Sequence, residues 1–169
     1  VKWIKKIVDG VHPRTGAAFA VPAFRLLYKV HKRDLGFRPI TGNHCWVTQP
    51  LALLIAWLCL PFCRANSSFL AGADELSQRL DSVTVGPGHL LVSYDVTNLY
   101  PSIPHAIAAD NVRKQLTAKG CSYADFIVTS LLFILRYNFC MFDNAVFQQH
   151  LGFATGVACG AEIAHLYLE

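Results

Sequence analysis

Leu90-Leu-Val-Ser-Tyr-Asp-Val-Thr-Asn-Leu-Tyr100 is the stretch on which the fold turns. From Leu90 to Val96 it is dominated by strand formers. Alternation puts Leu91, Ser93 and Asp95 on one face and Leu90, Val92, Tyr94 and Val96 on the other. The pattern predicts a strand with an acidic group at its end. A carboxylate beside apolar residues is costly to bury unless it is paired, hydrogen-bonded or bound to a cation, so Asp95 is the first candidate for chemistry. A turn or capping aspartate would satisfy the same spacing.

On the C-terminal side, Pro101 and Pro104 lead into Ala106 to Lys119, which has helical composition and stops at Gly120, a favoured residue just past a helix end. Ser122-Tyr-Ala-Asp125 has the form of a capping box, and an apolar helix is expected from there to about Tyr137. Phe139 to Phe142 and Ala145 to Gln149 read as short strands around the polar turn Asp143-Asn144. Gly152 to Gly160 is a loop of small residues, which permits close approach of a ligand or nucleic-acid backbone, although as a glycine pattern it is unspecific. Ala161 to Glu169 opens a helix with no stop signal.

On the N-terminal side, Val85-Gly-Pro-Gly88 is a turn, and a short helix is expected around Ala73 to Leu80. The apolar run Leu51 to Cys63 follows Pro50, a residue suited to a helix start, and reads as a buried helix. Before it, Phe24 to Val30 and a second strand from Phe37, joined at Asp34-Leu35-Gly36, form a basic hairpin. Lys29, His31, Lys32 and Arg38 on these adjoining strands could converge on one polyphosphate, or could line an exposed hairpin face.

A chain of 169 residues fits one domain, and it carries no repeat, low-complexity tract or long linker. It is 53% hydrophobic and 15% charged, with mean hydropathy +0.35, so membrane or further protein is expected to cover part of its surface. The Leu51 run is too short to span a bilayer, which needs about 20 apolar residues. No cleavable signal opens the chain, which begins Val1-Lys2-Trp3 as if cut from the interior of a longer one; a nuclear or cytoplasmic, non-secreted protein is expected. The six cysteines form no C-x-x-C pair and read as buried free thiols. Cys59 and Cys63, one helical turn apart, would suit zinc only with His or Cys partners nearby. The formal charge is +4, yet Lys2, Lys5, Lys6, Arg14, Arg25, Lys29, Lys32, Arg33 and Arg38 all precede residue 40. Such clustering suits a phosphate-bearing partner, or equally a solvated face.

Taken in order, these pieces resemble the fingers and palm of reverse transcriptases, most closely the Penelope-like retroelement enzymes. Phe24-Arg-Leu-Leu-Tyr-Lys-Val-His-Lys32 followed by Arg38-Pro-Ile40 is similar to that family's first two fingers motifs. Leu91 to Pro104 is similar to the palm motif that bears the first metal-binding aspartate, and Phe147 to Gly156 through Ala164-His-Leu-Tyr-Leu-Glu169 is similar to the next palm motif. The resemblance covers about Pro22 to Glu169, and the aspartate block is its most specific part.

The resemblance implies an α+β reverse transcriptase fold, an antiparallel sheet backed by helices, in one partial domain. About 1–88 would be fingers-like and 89–169 palm-like, with the catalytic Asp-Asp hairpin beyond the chain. It implies an RNA-directed DNA polymerase of a retrotransposon, with an RNA template, a DNA primer, deoxynucleoside triphosphates and the remainder of the reverse transcriptase chain as partners, and no membrane. Two Mg²⁺ ions would assist nucleotidyl transfer. By resemblance, Asp95 is catalytic and holds metal with the carbonyl of Val96; Arg38, with Lys29 or Lys32, grips the triphosphate; Tyr100 is the aromatic steric gate against a ribose 2′-hydroxyl. Gln149, Thr155 and Gly156 would face template and primer, while His105 is read as a helix-start residue. The chain departs from the family at Val157-Ala158, where a Ser/Thr-Pro is common, and at Ala164-His165, where Ala-Asn is common. It also contains no Asp-Asp pair, so by itself it is expected neither to polymerise nor to bind magnesium well. The alternative is a non-catalytic nucleic-acid-binding remnant of such an element.

Overall fold

Residues 10–11, 16–29 and 36–169 are described by a computed structural model. Helix α1 (Gln49–Arg64) has Pro50 in its first turn, where a missing N–H leaves no helical bond unmade. Its inward stripe, Ala52, Ile55, Cys59 and Cys63, repeats at intervals of three and four. Helix α2 (Ala73–Asp81) buries none of its residues, and the single turn α3 (Leu99–Ser102) precedes α4 (His105–Ala118). Gly120, left-handed at φ +72°, follows α4 as the sequence predicts.

Helix α5 (Ala124–Arg136) turns Ile127, Val128, Leu131, Ile134 and Leu135 inward, and α6 (Gly160–Leu168) adds Ile163, Ala164 and Leu166. Both α1 and α4 pack against α5 and α6, so the four helices enclose one core to which the 1–88 and 89–169 portions both contribute. A fully buried Leu or Ile there stabilises the fold by about 1.5–3 kcal/mol. The capping box expected at Ser122 does not form: Tyr123 occupies the cap without a side-chain bond, and Asp125 pairs with Arg113 of α4 instead. Both partners are exposed, so the pair contributes at most about 1 kcal/mol.

Strands β1 (Phe24–Tyr28) and β2 (Phe37–Thr41) pair antiparallel, with Phe24 opposite Thr41 and Tyr28 opposite Phe37. The expected connection at Asp34-Leu35-Gly36 and the end of the first strand at Val30 fall in 30–36, of which only Gly36 is described. Strands β3 (Phe139–Phe142) and β4 (Ala145–Gln148) form the predicted second hairpin. Asp143 and Asn144 have φ of 48° and 59°, as a tight hairpin turn demands. A parallel bridge between Ala23 and Met141 joins the two hairpins, the Met141 N–H donating to the Pro22 carbonyl at 2.7 Å. The architecture is therefore mixed α+β, with two small antiparallel sheets and six α-helices among the described residues.

One expectation fails outright. Leu90 to Val96 is not a strand: it lies in no sheet, makes no backbone hydrogen bond among the described residues, and leaves Leu90 and Tyr94 88% and 91% exposed. Strand propensity is realised only through cross-strand neighbours, and no described strand runs beside it.

No helix of the described residues is long and apolar enough to cross a membrane. Cys59, Cys63 and Cys159 are free thiols enclosed in the core. Burial pushes Cys63 up to about 11 and Cys159 up to about 12, and raises Cys59 further still. Among the described residues no group of three His, Cys, Asp or Glu is placed to hold a metal, so Cys59 and Cys63 lack the partners zinc would need.

Candidate functional site

In the β1–β2 hairpin, Arg38 stands opposite Leu27. Since faces alternate along a strand, Arg38 shares its face with Arg25 and Leu27, and Lys29, just past β1, continues it. Across from this hairpin runs the exposed segment that carries Asp95. Asn98, left-handed at φ 52°, reverses the chain there into α3, which delivers Tyr100. Asparagine adopts that conformation more readily than most residues, a signal in Thr97-Asn98 that would have placed the turn from sequence.

Between the two lies a groove of about 710 Å³, lined by Lys29, Phe37, Arg38 and Pro39 of the hairpin, by Tyr94 through Pro101, and by Thr155. Its volume is within the range typical of small-molecule sites, about 300–1,000 Å³. Asp95, Val96, Lys29, Arg38 and Tyr100 thus meet at one place, although they come from distant parts of the sequence. Lys32 lies outside the described residues. The side chains of Asp95, Lys29 and Arg38 have no hydrogen-bond or ion-pair partner among the described residues, so all three are free to engage a ligand. A planar guanidinium offers paired donors that match phosphate oxygens, while a lysine acts as a point charge. Phe37, Pro39 and Asn98 belong to the groove as well, and sequence reasoning assigned them no part in it.

Tyr100 is half-buried. Its ring lies against Gly160, where an added Cβ would come within 3.1 Å of the ring edge. Burial, and after it the charge of Glu162, raises its phenol. Its backbone carbonyl accepts the Phe153 N–H at 2.8 Å.

A smaller cavity of about 220 Å³ adjoins the groove and shares Pro39, Pro101 and Thr155 with it; Phe24, Cys140, Phe147 and Gln149 are among its other walls. Gln149 is turned inward: its Oε1 accepts from Asn138 Nδ2 at 3.1 Å and its Nε2 donates to the Leu151 carbonyl at 2.8 Å. That side chain holds the loop after β4, with one N–H and one lone pair of its amide left over beside the cavity. Thr155 stands between the two cavities, and exposed Gly156 brings its Cα against the Thr41 carbonyl. His105 is the first residue of α4, as expected, and its Nε2 also lies 2.8 Å from the Gly152 carbonyl oxygen.

A pair of magnesium ions, each seeking six oxygens in near-octahedral array, does not find a sufficient ligand set among the described residues, of which Asp95 is the single carboxylate lining the groove. The described residues supply one acidic ligand and two free cations. No protein-family model, curated protein or solved structure matches the chain.

Proposed function

We propose that the groove is the nucleotide site of an RNA-directed DNA polymerase of the Penelope-like retroelement type, with the chain supplying its fingers and part of its palm. The observation that carries this reading is the meeting of Asp95, Lys29, Arg38 and Tyr100 around one groove of nucleotide size. Arg38 and Lys29 bind the triphosphate, their positive charges matching its oxygens. Tyr100 crowds the sugar and disfavours a 2′-hydroxyl. Thr155 and Gly156, next to the adjoining cavity, face the base pair and template, and Gln149 stiffens the loop that bears them. Asp95 and the Val96 carbonyl are one part of an acidic ligand set whose other carboxylates come from sequence outside Val1–Glu169. The exposed Leu90–Val96 segment, whose backbone is unpaired among the described residues, is where the resemblance would seat the hairpin bearing them.

The test is template-dependent deoxynucleotide incorporation by the full reading frame that contains this chain. Asp95→Asn is expected to reduce incorporation to background while the thermal transition is kept. Undiminished turnover would remove Asp95 from the site, and no incorporation by the unsubstituted protein would sink the polymerase reading.

A second reading, nucleic-acid binding without catalysis, is favoured by one observation: the described residues of the groove include two cations, Lys29 and Arg38, against one carboxylate. It predicts binding to RNA or DNA that weakens with salt by about 0.9 log units per neutralised phosphate on duplex DNA, with no incorporation.

A further inference from the structure

The five residues from Gly152 to Gly156 are fastened to both walls of the groove. On one side Gly152, buried and at φ +72°, presses on Pro101 so closely that an added Cβ would lie 2.3 Å from the Pro101 carbonyl oxygen. The next residue, Phe153, donates its N–H to Tyr100. On the other side the Thr155 carbonyl accepts the Thr41 N–H at 3.1 Å, and a Cβ on Gly156 would lie 2.3 Å from the Thr41 oxygen. The loop therefore fixes the distance between the hairpin that carries Arg38 and the turn that carries Tyr100.

Most of this fastening is backbone to backbone. The side chain that joins it is His105, whose Nε2 reaches the Gly152 carbonyl at 2.8 Å while its ring stands edge-on to Phe153, centroids 6.3 Å apart. A carbonyl oxygen only accepts, so Nε2 carries the proton. His105 is also the first residue of a helix seated in the core through Ala108, Ala109 and Val112. It transmits the position of that rigid helix to a loop with no regular secondary structure of its own.

We propose that His105 is a positioning residue of the groove, setting the stance of the Tyr100 ring, and with it sugar discrimination, through its bond to Gly152. The assignment rests on the nucleotide reading above, but its structural half can be tested without it. Because the role needs a donor at the reach of Nε2, His105→Gln keeps it, whereas His105→Leu and the shorter His105→Asn lose it.

In the full reading frame, His105→Leu is expected to raise the KM for a deoxynucleotide and to narrow the preference over the matching ribonucleotide, each on the order of tenfold, the scale of one lost hydrogen bond. The kcat should stay within about twofold, since His105 touches neither substrate nor reacting atoms. His105→Gln should recover most of both effects. Unchanged KM and unchanged sugar preference in His105→Leu, with the unsubstituted enzyme active, would overturn the proposal.

Hydrogen exchange at the Phe153 amide is read in parallel on this chain alone. It should quicken in His105→Leu and His105→Asn, and stay slow in His105→Gln. If the leucine variant fails to fold, the asparagine and glutamine variants decide, and equal protection in the two refutes the positioning role. If the unsubstituted enzyme does not incorporate, the polymerase reading falls, and the exchange measurement still supports or refutes the His105 tether.

Discussion

Helix α1 and the Leu90–Val96 segment are both built largely from big apolar residues, yet Ile55 and Cys59 are wholly enclosed while Leu90, Leu91 and Tyr94 stand in solvent. A helix closes its backbone bonds within itself, so α1 needs neighbours only for one stripe, and α5 and α6 provide them. A strand needs a neighbour for its backbone as well as for its side chains. The same hydrophobicity therefore yields a core in one place and an open flank beside Asp95 in the other. The buried core lies in the four helices, and the groove is assembled by the β1–β2 hairpin, the 94–101 segment and Thr155.

The sharpest way to break this contrast is to hollow the enclosed side. Leu131→Ala, at a position with no exposure, should cost about 2–5 kcal/mol in urea unfolding. A loss below about 1 kcal/mol would mean the helical layer is not the source of stability. Gly152→Ala tests the seam between the regions: a side chain at φ +72° and against the Pro101 carbonyl should cost about 1–3 kcal/mol, with the groove disturbed more than the helices. Spectra showing loss of the helical core before the loop would reverse that expectation.

A smaller effect comes from pH. Cys63 and Cys159 have folded values raised by burial above the ordinary thiol value of 9.0, to about 11 and about 12. Their contribution is fully present below pH 9 and is lost as pH rises through the folded values, because the unfolded chain ionises first. Unfolding free energy should fall as pH rises from 9.0, the ordinary thiol value, to about 12, the folded value of Cys159, and Cys159→Ala should flatten the fall. An alkaline profile unchanged by the substitution would assign the loss to other groups. The smallest effect belongs to the open flank: Leu91→Ser should change stability by no more than about 0.5 kcal/mol, since the side chain it removes is largely in water. A large loss would show that the segment is packed in solution.

The helices were legible because their signals are local. The three- and four-residue spacing of Ile127, Leu131 and Ile134, the Pro50 start and the Gly120 stop each act within a turn or two. The turn at Asp143-Asn144 was legible for the same reason. What stayed hidden depends on distant partners. Leu90 to Val96 has strand chemistry without a described strand beside it, and Asp125 meets Arg113 across two helices in place of capping its own. In the site, Asp95, Arg38 and Tyr100 could be named from their motifs, but neither the inward turn of Gln149 nor the reach of His105 to Gly152 follows from spacing.

The glycines at 152 and 156 bear on how any kindred sequence should be compared with this one. Each sits where another segment's carbonyl oxygen leaves no room for a methyl group. A glycine shared at either place would therefore testify to crowding between chain segments, whatever chemistry the kindred protein performs. Under the proposed nucleotide reading, the informative positions are 38 and 95, whose side chains are exposed and so are not dictated by packing.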